Sequence, residues 1–260
     1  MDMKNLSLFL ILFTLISCGM KETVVSNIDT IVYYKAQSKL DLYSTQKEAL
    51  KVDIKKFLNG QTARVEDTRQ TIKSIDLHKK DDLKIPFREL VFQYKEIATE
   101  FAFVVAKPMS VLDQKQQTHL FKELEKENQE MVEKLDEKDS KEYFKRFRFF
   151  FGSITPKQEE LILSNHDFFK SQTKRRLEKR RGIQAEIKEV YKTAKNQKEK
   201  EDKFYKILKT HLAGSFENED KILEFIQKVV PTLDEKQIKY FNDKKSETLE
   251  MINLFANQKY

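Results

Sequence analysis

The chain has 260 residues, with 49 Lys and Arg against 42 Asp and Glu, a formal net charge of +7 and 35% charged residues. Its five Gly and four Pro are few beside average usages of about 7% and 5%, which disfavours turn-dense all-β folds and Gly-rich phosphate-cradling loops. A single Cys rules out an internal disulfide framework.

At the start of the chain, Lys4 precedes an apolar stretch from Leu6 to Ile16. That stretch falls short of the roughly 20 residues a membrane span takes, and a short apolar core behind a cation is the pattern of a secretory signal. The stretch ends Leu15-Ile16-Ser17-Cys18-Gly19, which resembles the lipobox of bacterial lipoproteins. The resemblance implies diacylation of the Cys18 thiol, cleavage before Cys18 and acylation, palmitate included, of the new amine. Three chains at about 0.8 kcal/mol per buried CH₂ make a stable anchor. The expected organisation is a signal peptide over 1–17, a lipidated Cys and tether over 18–26, and a helical domain over 27–260. By resemblance to enteric sorting rules, Gly19 in place of Asp implies a periplasm-facing site on the outer membrane. That compartment removes nucleic acid as a partner, although a pI near 9.1 would otherwise invite it.

Beyond the tether, apolar residues recur at helical spacing. Ile28, Ile31, Val32 and Ala36 predict a first helix; Leu50, Ile54, Phe57 and Leu58 predict a second ending near Gly60. A polar helix over 63–77 and a charged link over 78–84 follow. Pro86 suits a first helical turn, where its missing N–H costs nothing, and the helix it opens runs to about Ala106 and stops at Pro108. The next runs from Asp113 to Phe151 with a break near Asp139. Phe121, Leu124, Asn128, Met131 and Leu135 form its inner seam, the Phe147, Phe149, Phe150 and Phe151 cluster reads as core at its end, with a ligand cage as the alternative, and Gly152 closes it. One long helix from Pro156 into the 190s and two more over 219–230 and 235–256 complete an all-α, elongated multi-helix bundle.

Four segments pair an apolar residue with a Gln four positions later: Leu42 with Gln46, Leu112 with Gln116, Ile154 with Gln158 and Leu233 with Gln237. The last three read as capping boxes. Asp113, Thr155 and Asp234 are the N-caps, and Gln116, Gln158 and Gln237 sit at the third helical position and reach back. The first copy departs from the pattern, because Ser44 as the cap puts Lys47 at that position. The signal is similar to the Leu-Thr-x-x-Gln motif of Spy-like periplasmic chaperones.

Several further stretches resemble a family of helical bacterial lipoproteins classed as a domain of unknown function. They are Leu40-Asp41-Leu42 with Gln46, the pair Glu127-Asn128 after Leu112 and Gln116, and the junction Phe150, Gly152 and Ile154. Leu177, Glu178, Arg180, Arg181 and Gln184 complete them. The likeness covers about Tyr34 to Tyr191, and the family's Trp-His-Arg and Glu-Leu-Pro elements are absent from 57–65. It implies helical architecture and lipidation and supplies no activity.

Charge is concentrated between Lys170 and Gly182, where Lys170, Lys174, Arg175, Arg176, Lys179, Arg180 and Arg181 face only Glu178. Like charges this close repel unless something anionic compensates. One source is internal, the acid-rich segment 122–142. The other is external: anionic phospholipid, lipopolysaccharide phosphates or an acidic protein, for which the guanidinium fork is suited. His78, His119, His166 and His211 show no metal-ligand spacing, and no nucleophile motif or P-loop is present. No cofactor and no metal are therefore expected. The expectation is a non-catalytic envelope interaction protein, with a Spy-like chaperone of envelope stress as the alternative.

Overall fold

The computed structural model describes residues 21–79, 83–136, 141–213 and 218–260, with backbone alone for 134–136, 141, 212 and 213. The expected signal segment, the expected lipobox residues Leu15, Ile16, Ser17 and Cys18, and the break expected near Asp139 lie outside the described residues. Among the described residues the fold is all-α, with twelve α-helices, one 3₁₀ turn and no strand. Helices α1 (Lys21–Ser26), α2 (Ile28–Leu40), α3 (Ser44–Gly60) and α4 (Thr62–Ser74) precede the long α5 (Lys84–Ser110). Helices α6 (Gln114–Asp136), α7 (Lys141–Phe151), α8 (Pro156–Ser164) and α9 (His166–Thr193) follow. The chain closes with α10 (Gln197–Ala213), α11 (Glu219–Val229), the 3₁₀ turn Val230–Thr232 and α12 (Glu235–Asn257).

The main core gathers the inner faces of six helices. Val32, Leu50, Ile54, Val104, Leu120, Ile187 and Phe204 meet there, each under a tenth exposed. Helix α10 packs along α5 more extensively than any other described helix pair. Ala98 and Ala102, small residues one turn apart, bring α5 close enough for Tyr205 and Leu208 to lie against them. A second cluster, Phe147, Ile162 and Val229 with Phe225 and Leu233, joins α7, α8 and α11. Half of the phenylalanine cluster is core at a helix end: Phe147 and Phe151 rings lie 4.8 Å apart, and Phe151 stacks on Phe241 at 6.0 Å, while Phe150 is exposed.

Four local expectations change. The predicted tether 20–26 contains α1, whose Val24 and Val25 are buried and which is pinned by Lys21 to Glu250 at 2.6 Å. Pro108 does not end α5, because the chain continues in tighter turns in which Val111 N–H donates to the Pro108 carbonyl at 3.3 Å. The helix expected from Pro156 into the 190s is two. Asn165 interrupts it, its side-chain amide donating to the Leu161 carbonyl at 2.8 Å. Helix α10 was not expected at all, since Phe204, Tyr205, Ile207 and Leu208 form a short apolar group inside a Lys/Glu-rich run.

The four Leu/Ile-to-Gln segments come together as two crossed pairs. Gln116 Oε1 accepts the Asp113 N–H at 3.1 Å while Asp113 Oδ1 accepts the Gln116 N–H at 2.9 Å. Thr155 with Gln158, and Asp234 with Gln237, form the same reciprocal box. In the first copy the cap is Tyr43, one residue earlier than Ser44. Gln46 Oε1 accepts the Tyr43 N–H at 2.8 Å, and the Tyr43 hydroxyl instead donates to Asp113 Oδ2 at 2.6 Å.

Across each crossing the amides exchange bonds. Gln116 Nε2 donates to Gln46 Oε1 at 2.7 Å and Gln46 Nε2 returns one at 3.3 Å. Gln158 and Gln237 do the same at 2.9 Å both ways. Each Gln also donates to the carbonyl five residues before its partner Gln: Gln116 to Asp41, Gln46 to Val111, Gln158 to Thr232 and Gln237 to Ser153. The two crossings are built alike, one at the starts of α3 and α6 and the other at the starts of α8 and α12.

Candidate functional site

The basic segment lies on α9, and the structure divides it. Arg180 faces inward, with a side chain only 7% exposed. Its Nε donates to Asn128 Oδ1 at 2.8 Å, and its terminal nitrogen pairs with Glu127. Asn128, fully buried, donates to Gln184 Oε1 at 2.8 Å, and Gln184 Nε2 returns a bond at 3.2 Å. Glu127 Oε1 also meets Lys39 Nζ at 2.7 Å, and Lys39 reaches Glu123 at 3.2 Å. One carboxylate thus ties α2, α6 and α9 together.

The ionisation follows from that geometry. Burial alone would raise the Glu127 carboxyl, but Lys39 and Arg180 outweigh it and hold the group below its ordinary value. Burial likewise works against the Lys39 ammonium, and Glu127 and Glu123 raise it nonetheless. The cluster is charged, paired and hydrogen-bonded, the condition under which a buried charge is tolerated.

Arg176 and Lys179 are also engaged within the protein. Lys170, Lys174, Arg175 and Arg181 point to solvent. The seven residues therefore do not act as one surface. Arg180 is compensated from the acid-rich segment of α6, which leaves four exposed cations for any outside anion.

The motif residues named in the sequence fall on identifiable local structures. Asp41 takes the left-handed conformation at φ 47°, its N–H donating to the Gln37 carbonyl at 3.0 Å, so that Leu40 and Leu42 on either side are both buried. Glu127, Asn128, Arg180 and Gln184 form the network just described. Gly152, at φ +75°, ends α7 where a Cβ would stand 2.9 Å from the Tyr240 ring; only a residue without one fits comfortably. Sequence reading did not single out Lys39 or Tyr191. Tyr191 donates from its hydroxyl to the Met109 carbonyl at 2.8 Å, and burial raises its phenol well above the ordinary value.

The histidines stand apart. His119 contacts the Ser38 carbonyl at 3.1 Å and His211 contacts Glu186 at 3.1 Å. Among the described residues no group of three His, Cys, Asp or Glu gathers as a metal site, and no helix is long and apolar enough to cross a membrane. A shallow pocket of about 220 Å³ lies between α2 and α3, lined by Asp29, Thr30, Tyr33, Tyr34, Lys51 and Lys55. Its lysines are engaged, Lys55 at 3.4 Å from Asp29 and Lys51 at 3.0 Å from Glu48 and over the Tyr33 ring at 5.1 Å. No protein-family model, no curated protein and no solved structure matches this chain.

Proposed function

We propose that the chain is a bacterial envelope lipoprotein, acylated on Cys18, whose helical body serves as a non-catalytic interaction protein at the periplasmic face of a membrane, the outer membrane by the Gly19 rule. The observation that carries the reading is the order Leu15-Ile16-Ser17-Cys18 at the end of a short apolar core, with the chain's only Cys at the acylated position. The docking of α1 adds support. Lys21 pairs with Glu250 and the Val25 carbonyl accepts from the Tyr260 hydroxyl at 3.2 Å. An anchor three residues before Lys21 holds the body within about 10 Å of the bilayer, the reach of three extended residues. Growth with an alkyne-bearing palmitate analogue tests the reading: label is expected on the wild-type chain and absent from Cys18→Ser. Label on neither, or on both, overturns it.

One observation favours the chaperone alternative. On α5, Ile85, Phe92 and Phe103 are 80%, 55% and 51% exposed and fall along one side at helical spacing, with Glu89, Glu96 and Glu100 between them, exposed apolar positions open to contact with a client. A chaperone suppresses aggregation of an unrelated denatured protein at near-stoichiometric ratio, and Phe92→Ser with Phe103→Ser weakens that suppression. A dedicated adaptor does neither and recovers one partner in a pull-down.

A further inference from the structure

The exposed cations of α9 do not stop at Gly182. Lys170, Lys174, Arg181, Lys188 and Lys192 are all exposed and follow one another at intervals of four, seven, seven and four residues. Those intervals keep a 3.6-residue period, so the five lie along one side of the helix over about 33 Å. Among the described residues none of the five forms a salt bridge; Lys188 rests its ammonium over the Phe121 ring at 4.9 Å. Glu178, Glu186 and Glu189 are exposed on the same helix, Glu186 beside His211, and of the α6 acids Glu127 and Glu123 meet Lys39 and Glu125 accepts from the Asn128 amide.

We propose that this side of α9 is a contact surface for the anionic headgroups of a phospholipid bilayer. The assignment rests on the placement of the body beside a membrane proposed above, and it names what the body touches there. Composition favours lipid over protein: four of the five cations are Lys, a residue depleted from protein interfaces, and Leu177, the one large apolar residue near the row, is buried. A nucleic-acid strand calls for a groove with stacking aromatics, and the row runs along the border of the exposed side of a single helix, next to the buried Leu177, with no ring among the five. A straight row of ammonium and guanidinium groups on a helix meets a plane of phosphates along its whole length. With no exposed apolar side chain in the row, the contact is electrostatic and does not insert.

The test uses residues 19–260, which retain every described helix and lack the acylated Cys, so that failure of headgroup binding and failure of acylation are read separately. Flotation with vesicles of mixed phosphatidylcholine and phosphatidylglycerol is expected to carry the protein at low salt. Vesicles of phosphatidylcholine alone leave it behind, and so does about 1 M salt, where the screening length is about 3 Å. A variant with Lys170, Lys174, Arg181, Lys188 and Lys192 all changed to Gln is expected to bind the anionic vesicles at least about tenfold more weakly. A control with Lys73, Lys115, Lys157, Lys221 and Lys236 changed to Gln carries the same net charge and keeps its binding within about twofold. Circular dichroism establishes that both variants are folded. No flotation with anionic vesicles, equal loss in the two variants, or tighter capture by a duplex oligonucleotide than by the vesicles overturns the proposal.

Discussion

A buried glutamine amide has four hydrogen-bonding capacities, two donors and two acceptor sites, and Gln158 uses all four. Its oxygen accepts from the Thr155 N–H and from Gln237 Nε2, and its nitrogen donates to Gln237 Oε1 and to the Thr232 carbonyl. Glutamate has the same shape but no donors, so Gln158→Glu leaves the Gln237 and Thr232 oxygens without partners in a site with no solvent exposure. The expected loss is about 3 kcal/mol, measured as a lower denaturant midpoint. Gln46 is half-buried and its substitution by Glu is expected to cost less. Gly152→Ala forces a Cβ onto a left-handed residue and against the Tyr240 ring, an expected cost of about 2 kcal/mol by the same measurement.

Among the carboxyls held below their ordinary values, Glu127 is the one that pairs with a buried arginine. Its folded-state carboxyl is held below the ordinary 4.5, so it binds a proton less readily folded than unfolded. Its contribution to stability is present above the unfolded value and is lost as pH falls through the folded one. Denaturation followed from pH 7 into the acid range is expected to show a loss that Glu127→Gln lacks. At neutral pH that variant is expected to be about 2 kcal/mol less stable, because Arg180 keeps its burial and loses its charge partner.

At the scale of elements, the caps were legible because they depend on side chains within four residues of one another. Asp113, Thr155 and Asp234 take their places as the sequence predicts, whereas Tyr43 does not. A tyrosine has no short oxygen to offer the first turn, so the Gln46 half of the box stands alone and Ser44 looked the better cap. What four residues could not reveal is the pairing between copies, which joins glutamines 70 and 79 positions apart in the chain. Helix α10 was invisible for a related reason. Its stability comes from Phe204, with no solvent exposure, and from the close approach of Ala98 and Ala102 on α5, none of which is local. Phe204→Ala is expected to cost about 3–5 kcal/mol, a larger loss than Phe150→Ala at the half-exposed end of α7, with thermal unfolding as the comparison.

At the scale of the whole molecule, the formal charge of +7 is distributed by the fold in a way composition hides. Arg180, in the middle of the most basic segment, is spent on an internal junction of α2, α6 and α9, while Lys188 and Lys192, outside that segment, extend the exposed row. A local density of charge in the sequence picks out α9 but does not separate its buried Arg180 from its exposed cations. Facing direction depends on which side of α9 the neighbours α6 and α10 cover. In the proposed reading, the position of the body relative to a bilayer depends on a single residue, Cys18, and on the short reach from it to α1.

The most direct measurement on that dependence is the intact mass of the chain recovered from a bacterial envelope, together with its partition between water and detergent. The account predicts a mature chain that begins at residue 18, carries the added mass of its acyl chains and enters the detergent phase. It also predicts a Cys18→Ser chain that keeps residues 1–17 and gains no acyl mass. A wild-type chain with an unmodified Cys18, or a Cys18→Ser chain of unchanged processing and partition, contradicts it.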